Sequence, residues 1–367
     1  MPPHSFTVGQ PEHTGAFSVT TRQLVLEQIS CPLCGSPSSD RLLQAPDNLY
    51  GVPGTFQLVR CHDCQHLYMN PRPIAASLVD CYPTCYGPHQ SAPPDSAAPT
   101  PPPATRPWYL RWLPLRHIPG LRRLYAWLLD DRSEPVPSAA DSRRQSGSPH
   151  NTPVRALEIG CATGRYLKRL EEAGWDVQGV ELTPAAAARA RAAGLRVHCG
   201  TLDTLPEDGH PYDLAAAWHV LEHLPDARGA LQELHRRLRP GGQLVISIPN
   251  AGCWEPHVFG TAWYLWELPR HLHSFTPRSI VRLLSECGFA DIQVLHQRSL
   301  LNIFGSLGIA ILRKRPRSRL GLWLKSYPEQ PRLFLQLFFA PLAHVLAGLG
   351  QGGRLTIFAR RAPGPLE

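Results

Sequence analysis

A chain of 367 residues has room for one full enzyme domain and a small accessory one, and 43% hydrophobic content can fill cores of that size. Thirty-nine prolines exclude one compact unit from end to end, so part of the chain is expected to be unstructured. The formal charge of +8 is almost entirely arginine, with only three lysines. That is a compositional bias, and it gives no warrant for a nucleic-acid partner from charge alone.

Residues 1–23 are polar and lack periodicity, which reads as a disordered tail. The start, Met1-Pro2-Pro3-His4, has no basic segment followed by an apolar run. A reducing, cytoplasmic setting is therefore expected, where paired cysteines favour metal over disulfides. Residues 24–86 carry two such pairs, Cys31-Pro32-Leu33-Cys34 and Cys61-His62-Asp63-Cys64. Each C-x2-C knuckle places two thiolates on one ion, and two knuckles close a tetrahedral site. The turn Tyr50-Gly51-Val52-Pro53-Gly54 lies between them, so the segment reads as a zinc-ribbon module with Phe56 and Tyr68 in its small core. Four thiolates leave no open position, which makes the expected Zn2+ structural. Cys81, Cys85, Cys161, Cys199, Cys253 and Cys287 read as packing or surface thiols.

Residues 87–107, rich in Pro, Ala and Ser, read as a disordered linker, and residues 132–153 as a second one. Between them, 108–131 includes an amphipathic helical pattern with Leu121, Leu124 and Leu128 on one face. After Pro153 short apolar runs alternate with helical patterns. Strands are predicted at Ala156–Ile159, Asp176–Glu181, Arg196–Cys199, Asp213–Val220, Gln243–Ile248, Ile292–His296 and Arg354–Ala359. Helices are predicted at Tyr166–Ala173, Pro184–Ala193, Asp226–Leu238 and Pro277–Cys287, the last with Thr276 as N-cap and Gly288 as stop. This alternation predicts an α/β, Rossmann-like, doubly wound and mostly parallel seven-stranded sheet over 154–362.

The central signal is a strand, then Glu158-x-Gly160-x-Ala162-x-Gly164, then a helix. Small residues let a ligand approach the backbone, and free amides at a helix start can meet a carboxylate. Glu158 ends the first strand and can accept from an ammonium; Glu181 ends the second, where a carboxylate grips a ribose diol. The glycine spacing is not that of a nicotinamide site, and the absence of Gly-Lys-Ser/Thr excludes a P-loop.

Further pieces follow in order: Gly179-Val180-Glu181, Trp218-His219-Val220-Leu221-Glu222-His223-Leu224, Leu238-Arg239-Pro240-Gly241-Gly242, Ile248-Pro249-Asn250 and Pro269-Arg270-His271-Leu272. With Leu157–Gly164 they make the stretch from Val154 to about Arg298, and the cysteine module, resemble the class I S-adenosylmethionine-dependent methyltransferases, in particular a bacterial group with an N-terminal zinc-binding segment. The resemblance implies S-adenosylmethionine as cofactor. It implies that Glu158, Gly160, Ala162 and Gly164 line the methionine part and that Glu181 holds the ribose. Thr201, Leu202 and Asp203 would then flank adenine, with His219 beside the methyl group. The sequence departs from the family at Ala162, where a glycine is usual, and at Thr201, where an acidic residue is usual.

A sulfonium methyl needs an acceptor held in line and a group that takes its proton. His219 and His271 are the candidate catalytic bases, with His273 a lesser one. Glu222 and His223 read as anchors of the loop that carries them. The loop Leu268–Thr276 is expected to cover the open side of the site, and Trp263, Tyr264 and Trp266 to wall an acceptor pocket. Before the last strand, an insertion over 299–353 combines apolar stretches with Arg313-Lys314-Arg315-Pro316-Arg317-Ser318-Arg319. It reads first as helices that cap the pocket or pair two copies, and second as a peripheral contact with anionic lipid. The functional expectation is methyl transfer to a small-molecule or glycan acceptor, a hydroxyl and lipid-linked in one version. The alternatives are an RNA methyltransferase, disfavoured by the dispersed arginines, and a non-catalytic binding protein of this fold.

Overall fold

A computed structural model describes residues 24–82, 134–146 and 153–362. The expected N-terminal tail, the first linker and the 108–131 helix fall outside them, as does Cys85.

The N-terminal module forms β1 (Leu26–Glu27), β2 (Ser39–Ala45), β3 (Phe56–Cys61), β4 (Leu67–Met69) and β5 (Arg72–Pro73). β2, β3 and β4 pair antiparallel in sequence order, as hairpin connections dictate. Phe56 and Tyr68 are buried within it. Of the second expected linker, Glu134–Ser146 is ordered and includes helix α1 (Ala139–Ser146), which corrects the reading of 132–153 as disordered throughout. The reason is a set of partners that composition does not reveal. Glu134 pairs with Arg165 and Arg169, the Tyr166 hydroxyl donates to the Pro135 carbonyl, and Trp175 Nε1 donates to that of Pro137.

The remaining elements are β6 (Arg155–Ile159), α2 (Arg165–Glu172), β7 (Asp176–Glu181), α3 (Pro184–Ala192), β8 (Val197–Cys199), β9 (Tyr212–Trp218), α4 (Ala227–Arg237) and β10 (Leu238–Pro249). Then come α5 (Glu255–Phe259), β11 (His273–Ser274), α6 (Pro277–Glu286), β12 (Phe289–His296), α7 (Leu301–Lys314), α8 (Arg319–Ser326), α9 (Leu333–Gly348) and β13 (Arg354–Arg361). Seven strands form one sheet in the order β12-β13-β10-β9-β6-β7-β8. All its pairings are parallel except those of β13, which runs antiparallel to both β10 and β12. The expected doubly wound sheet is thus present. β9 is Tyr-Asp-Leu-Ala-Ala-Ala-Trp and buried along nearly its whole length, as a central strand covered on both faces must be; β12 alternates, as an edge strand does. Helix α6 starts with a capping box in which Thr276 and Ser279 satisfy each other's backbone amides.

Two cores lie on the two faces of the sheet. One gathers Tyr166, Leu167, Leu170 and Trp175 of the α2 side with Ala139 of α1. The other gathers Leu231, Leu283 and Ile357 and runs on without a break into Cys31, Leu33, Val59 and Tyr68. The cysteine module therefore shares its core with the large sheet. The chain winds from β6 outward to β8 and then crosses to β9 on the other side of β6. In open α/β sheets that reversal opens a crevice at the carboxyl ends of the strands, here between the loops after β6 and β9.

Candidate active site

The loop after β6 has a backbone that its residue types only partly favour. Gly160, Ala162 and Gly164 all have positive φ, at 66°, 48° and 85°. Ala162 pays a steric cost of about 1–2 kcal/mol there, which explains why glycine is the usual residue. The glycines also have protein neighbours that require them to be small. A Cβ on Gly160 would lie 2.4 Å from Val220 Cγ2, and one on Gly164 would lie 2.3 Å from Leu195 Cδ1. Both keep the loop packed on its own protein neighbours, and Gly160 fixes it against the residue after His219.

Glu181 holds the loop from below. Its Oε2 accepts from the Ala162 amide at 2.8 Å and its Oε1 from the Thr183 amide at 2.7 Å. Glu158 is 3% exposed, and its Oε2 has no hydrogen-bond partner among the described residues. Burial, reinforced by the charges of Glu134 and Glu181, pushes its carboxyl well above the usual range. A dry, unpaired carboxyl oxygen is costly unless a donor arrives. A ligand ammonium would supply such a donor, so these residues are compatible with the amino-acid end of S-adenosylmethionine. Thr201 and Asp203 are exposed, and the Thr201 hydroxyl bonded to Asp203 holds that carboxyl below its ordinary range; Leu202 is buried beside them.

On the β9 side, His219 has a φ of 53° and a side chain 36% exposed. Its Nδ1 donates to Glu222 Oε1 at 3.1 Å, and its Nε2 faces the Ser247 hydroxyl at 3.4 Å. The desolvated surroundings, with Arg354 nearby, keep the imidazole below its ordinary pKa and hence neutral. Arg354 itself has a buried Nε without a partner among the described residues.

The Leu268–Thr276 loop has another task than the one expected. It does not lie over an open face. His273 and Ser274 form β11, which pairs with β4 and extends the module's sheet. Arg270 is fully buried, with Nη2 and Nη1 on the Asp47 carboxylate at 2.8 and 2.9 Å. His271 is 3% exposed and donates from Nδ1 to the Leu265 carbonyl at 2.9 Å. His273 donates to the Leu224 carbonyl and meets His66 at 3.2 Å. Trp263 and Trp266 are likewise core residues, edge-to-face at 4.7 Å, their indole N–H groups on Glu255 and on the Gly260 carbonyl. Only Tyr264 of that trio stays partly open. The docked loop brings His271 beside His223, with rings edge-to-face at 4.6 Å, and the Tyr82 hydroxyl lies 3.0 Å from His223 Nδ1. Glu222, His223 and Tyr82 thus join His219 and His271 in one cluster. No spacing rule announced Tyr82, which comes from the other module.

The four knuckle cysteines come together as their spacing predicts. Cys31 and Cys64 Sγ lie 3.4 Å apart, Cys34 and Cys61 Sγ 3.5 Å, and all four within 4.8 Å of one another. Thiolates at about 2.3 Å from a tetrahedral zinc ion would be ~3.8 Å apart. Backbone amides of Leu33 and Cys34 point at Cys31, and those of Asp63 and Cys64 at Cys61, which compensates thiolate charge. The donor set fits a four-thiolate metal. Cys81, Cys161, Cys253 and Cys287 are buried one by one, as packing residues.

Residues 128–294 match the family described as a methyltransferase domain. Over that stretch the chain carries a methyltransferase domain of the S-adenosylmethionine-dependent kind. Among relatives, it is 30% identical over 128 residues to malonyl-[acyl-carrier protein] O-methyltransferase of Serratia marcescens, covering 34% of this chain and 49% of that one. It is 25% identical over 158 residues to ubiquinone biosynthesis O-methyltransferase of Cronobacter sakazakii, covering 41% and 64%. A solved S-adenosylmethionine-dependent methyltransferase from Mesorhizobium loti is 22% identical, with 64% of this chain and all of that one covered at a TM-score of 0.39. The chain spans about half to two thirds of the length of the curated relatives it matches.

Proposed function

We propose that this methyltransferase binds S-adenosylmethionine in the crevice between the loops after β6 and β9 and methylates a hydroxyl of a small molecule or glycan, with His219 as the base. The observation that carries the reading is the buried, unpaired Glu158 Oε2 at the mouth of a loop held by Glu181. When bound, the cofactor supplies an electrophilic methyl group. Glu158 receives its ammonium, and Glu181, anchored on the Ala162 and Thr183 amides, keeps lone pairs for the ribose diol. Thr201, Leu202 and Asp203 follow β8 and would flank the adenine. His219 is the cluster histidine that reaches the crevice, and the Glu222 carboxylate orients it, as a third group orients the base in hydrolytic triads. Held neutral, it can accept the acceptor's proton. His271, buried and fixed on Leu265, stands behind it. The thiolates of Cys31, Cys34, Cys61 and Cys64 would hold a structural Zn2+.

Calorimetry with S-adenosylmethionine and a turnover assay on a panel of hydroxylated acceptors test this reading. Glu181→Ala should weaken cofactor binding about 10–100-fold, the loss of charged hydrogen bonds. His219→Ala should leave that affinity intact and lower turnover about 10²–10⁴-fold. No cofactor binding by the unaltered chain would sink the proposal, and wild-type turnover in His219→Ala would remove it as base.

The insertion supports a lipid-linked acceptor. α7 packs under Tyr264, whose amide donates to Ser306 Oγ, and α8 packs on α7. The outer stripe of α9, Phe334, Phe338, Leu342 and Val345, remains exposed with Leu349 just beyond it, and Lys314, Arg315, Arg317 and Arg319 are exposed from the end of α7 to the start of α8. No described helix is long and apolar enough to cross a membrane. An apolar stripe on the same insertion as a basic cluster suits the surface of an anionic bilayer. Flotation with phosphatidylglycerol vesicles should recover the protein, and Phe338→Asp or high salt should release it; no recovery, or recovery unaffected by either, would end this assignment.

A further inference from the structure

The geometry points to a second metal site, distinct from the four thiolates, in which Glu222, His223 and His271 hold a divalent transition-metal cation. One ligand atom from each of the three lies within 4.8 Å of the other two, the spacing that a single ion can bridge. Two imidazoles and one carboxylate are the donor set of open catalytic metal sites, which retain positions for an exogenous oxygen.

The hydrogen bonds around the cluster favour an ion. His271 donates Nδ1–H to the Leu265 carbonyl, so its neutral ring carries the lone pair on Nε2. That lone pair faces Glu267 Oε2 at 3.5 Å. A cation held beside that lone pair by the three grouped side chains would also be favoured by the Glu267 charge, although Glu267 is not one of the three. His223 is held at Nδ1 by the Tyr82 hydroxyl, which leaves its Nε2 for a ligand. Metal-bound histidines commonly have the other ring nitrogen tied in this way. Glu222 is fully buried; one oxygen orients His219, and Oε2 has no partner among the described residues. Glu267 adopts a φ of 38°, a left-handed backbone uncommon for glutamate, at the position that brings it to His271. Arg270 of the same loop pairs with the Asp47 carboxylate and also donates from Nε to Glu267 Oε1 at 3.2 Å, which leaves Glu267 Oε2 on the His271 side.

The cluster is built across the molecule: His271 from the loop docked on the cysteine module, Glu222 and His223 from the turn after β9, and Tyr82 from the end of the module. It lies directly behind His219. Resting on the proposed reaction, the open positions of this ion would take the acceptor's hydroxyl, lower its pKa and set it in front of the base.

The test is made on the full chain, equilibrated with excess Zn2+ and desalted, with metal content per chain as readout. Two zinc ions are expected in the unaltered protein and one in Glu222→Ala/His223→Ala, which should keep its affinity for S-adenosylmethionine. Tyr82→Phe should retain both sites but bind the second ion about 10–100-fold more weakly. If the double variant does not fold, Co2+ added to protein whose thiolate site holds zinc should give visible d–d bands without thiolate charge transfer. One zinc per unaltered chain, two in the folded double variant, or no such cobalt bands would overturn the inference. Intact cofactor binding with one zinc sinks this site alone. Failure of cofactor binding sinks the proposed reaction and leaves the metal count readable.

Discussion

Glu255 shows how one buried side chain can set the response of the whole protein to pH. It is 1% exposed and accepts only from Trp263 Nε1 among the bonds described. Burial pushes its carboxyl up to about 7, against the partial opposition of the Trp263 hydrogen bond and Arg354. A carboxyl raised on folding adds stability that is complete below its unfolded pKa and disappears as pH rises through the folded value. Between pH 5 and 8 the native state should therefore lose up to about 3 kcal/mol through this group. Glu255→Gln keeps the shape without the ionisation. Urea unfolding at the two pH values should show the variant gaining on the unaltered protein as pH rises, and a constant difference would contradict the assignment. At the same scale, Ala162 was legible in the sequence as a departure from the usual glycine, yet only its φ of 48° says what the departure costs.

Among elements, the segment from Leu265 to Ser274 changes most between sequence and structure. Its histidines and aromatics resemble the wall of a pocket. In the molecule it is the seam between two modules: β11 extends the β2–β4 sheet, and Arg270 enters it to meet Asp47. A lone sequence cannot show this, because Asp47 and Arg270 are 223 residues apart and neither has a local pattern. Burial alone would raise the Asp47 carboxyl, but the Arg270 hydrogen bonds and charge prevail and hold it below its ordinary range. Asp47→Ala would remove the two-pronged carboxylate partner of a buried guanidinium, which keeps its bonds to Glu267 and the Cys81 carbonyl, and should cost about 3 kcal/mol. Denaturant unfolding at neutral pH measures that loss, and a change under 1 kcal/mol would show the seam to be held by other contacts. The capped helix α6 is the opposite case, since Thr276, Pro277 and Gly288 wrote its ends into the local sequence.

For the whole molecule, the continuity of the core from Leu231 and Leu283 to Cys31 and Tyr68 matters most. A metal at the four thiolates then braces the methyltransferase fold as well as the small module. Removing it with a strong chelator should lower the melting temperature of the entire described protein in one transition. Two separated transitions, with cofactor binding intact after the first, would show instead that the module unfolds by itself. The shared core also sets the acceptor side of the crevice, because the cluster behind His219 is complete only when the module is docked.

The sequence by itself determined the alternation that makes the sheet, the loop from Glu158 to Gly164, Glu181 and the two cysteine knuckles. Each of these depends on contacts close along the chain or on strict spacing, so the period and the residue types carry them. Only the tertiary structure decided that Glu134–Ser146 is ordered, that the Pro269–His273 loop is a seam, and that Tyr82, Glu222, His223 and His271 converge. Those facts arise from pairings across large sequence separations, where a side chain's partner is set by how the layers pack and leaves no periodic trace.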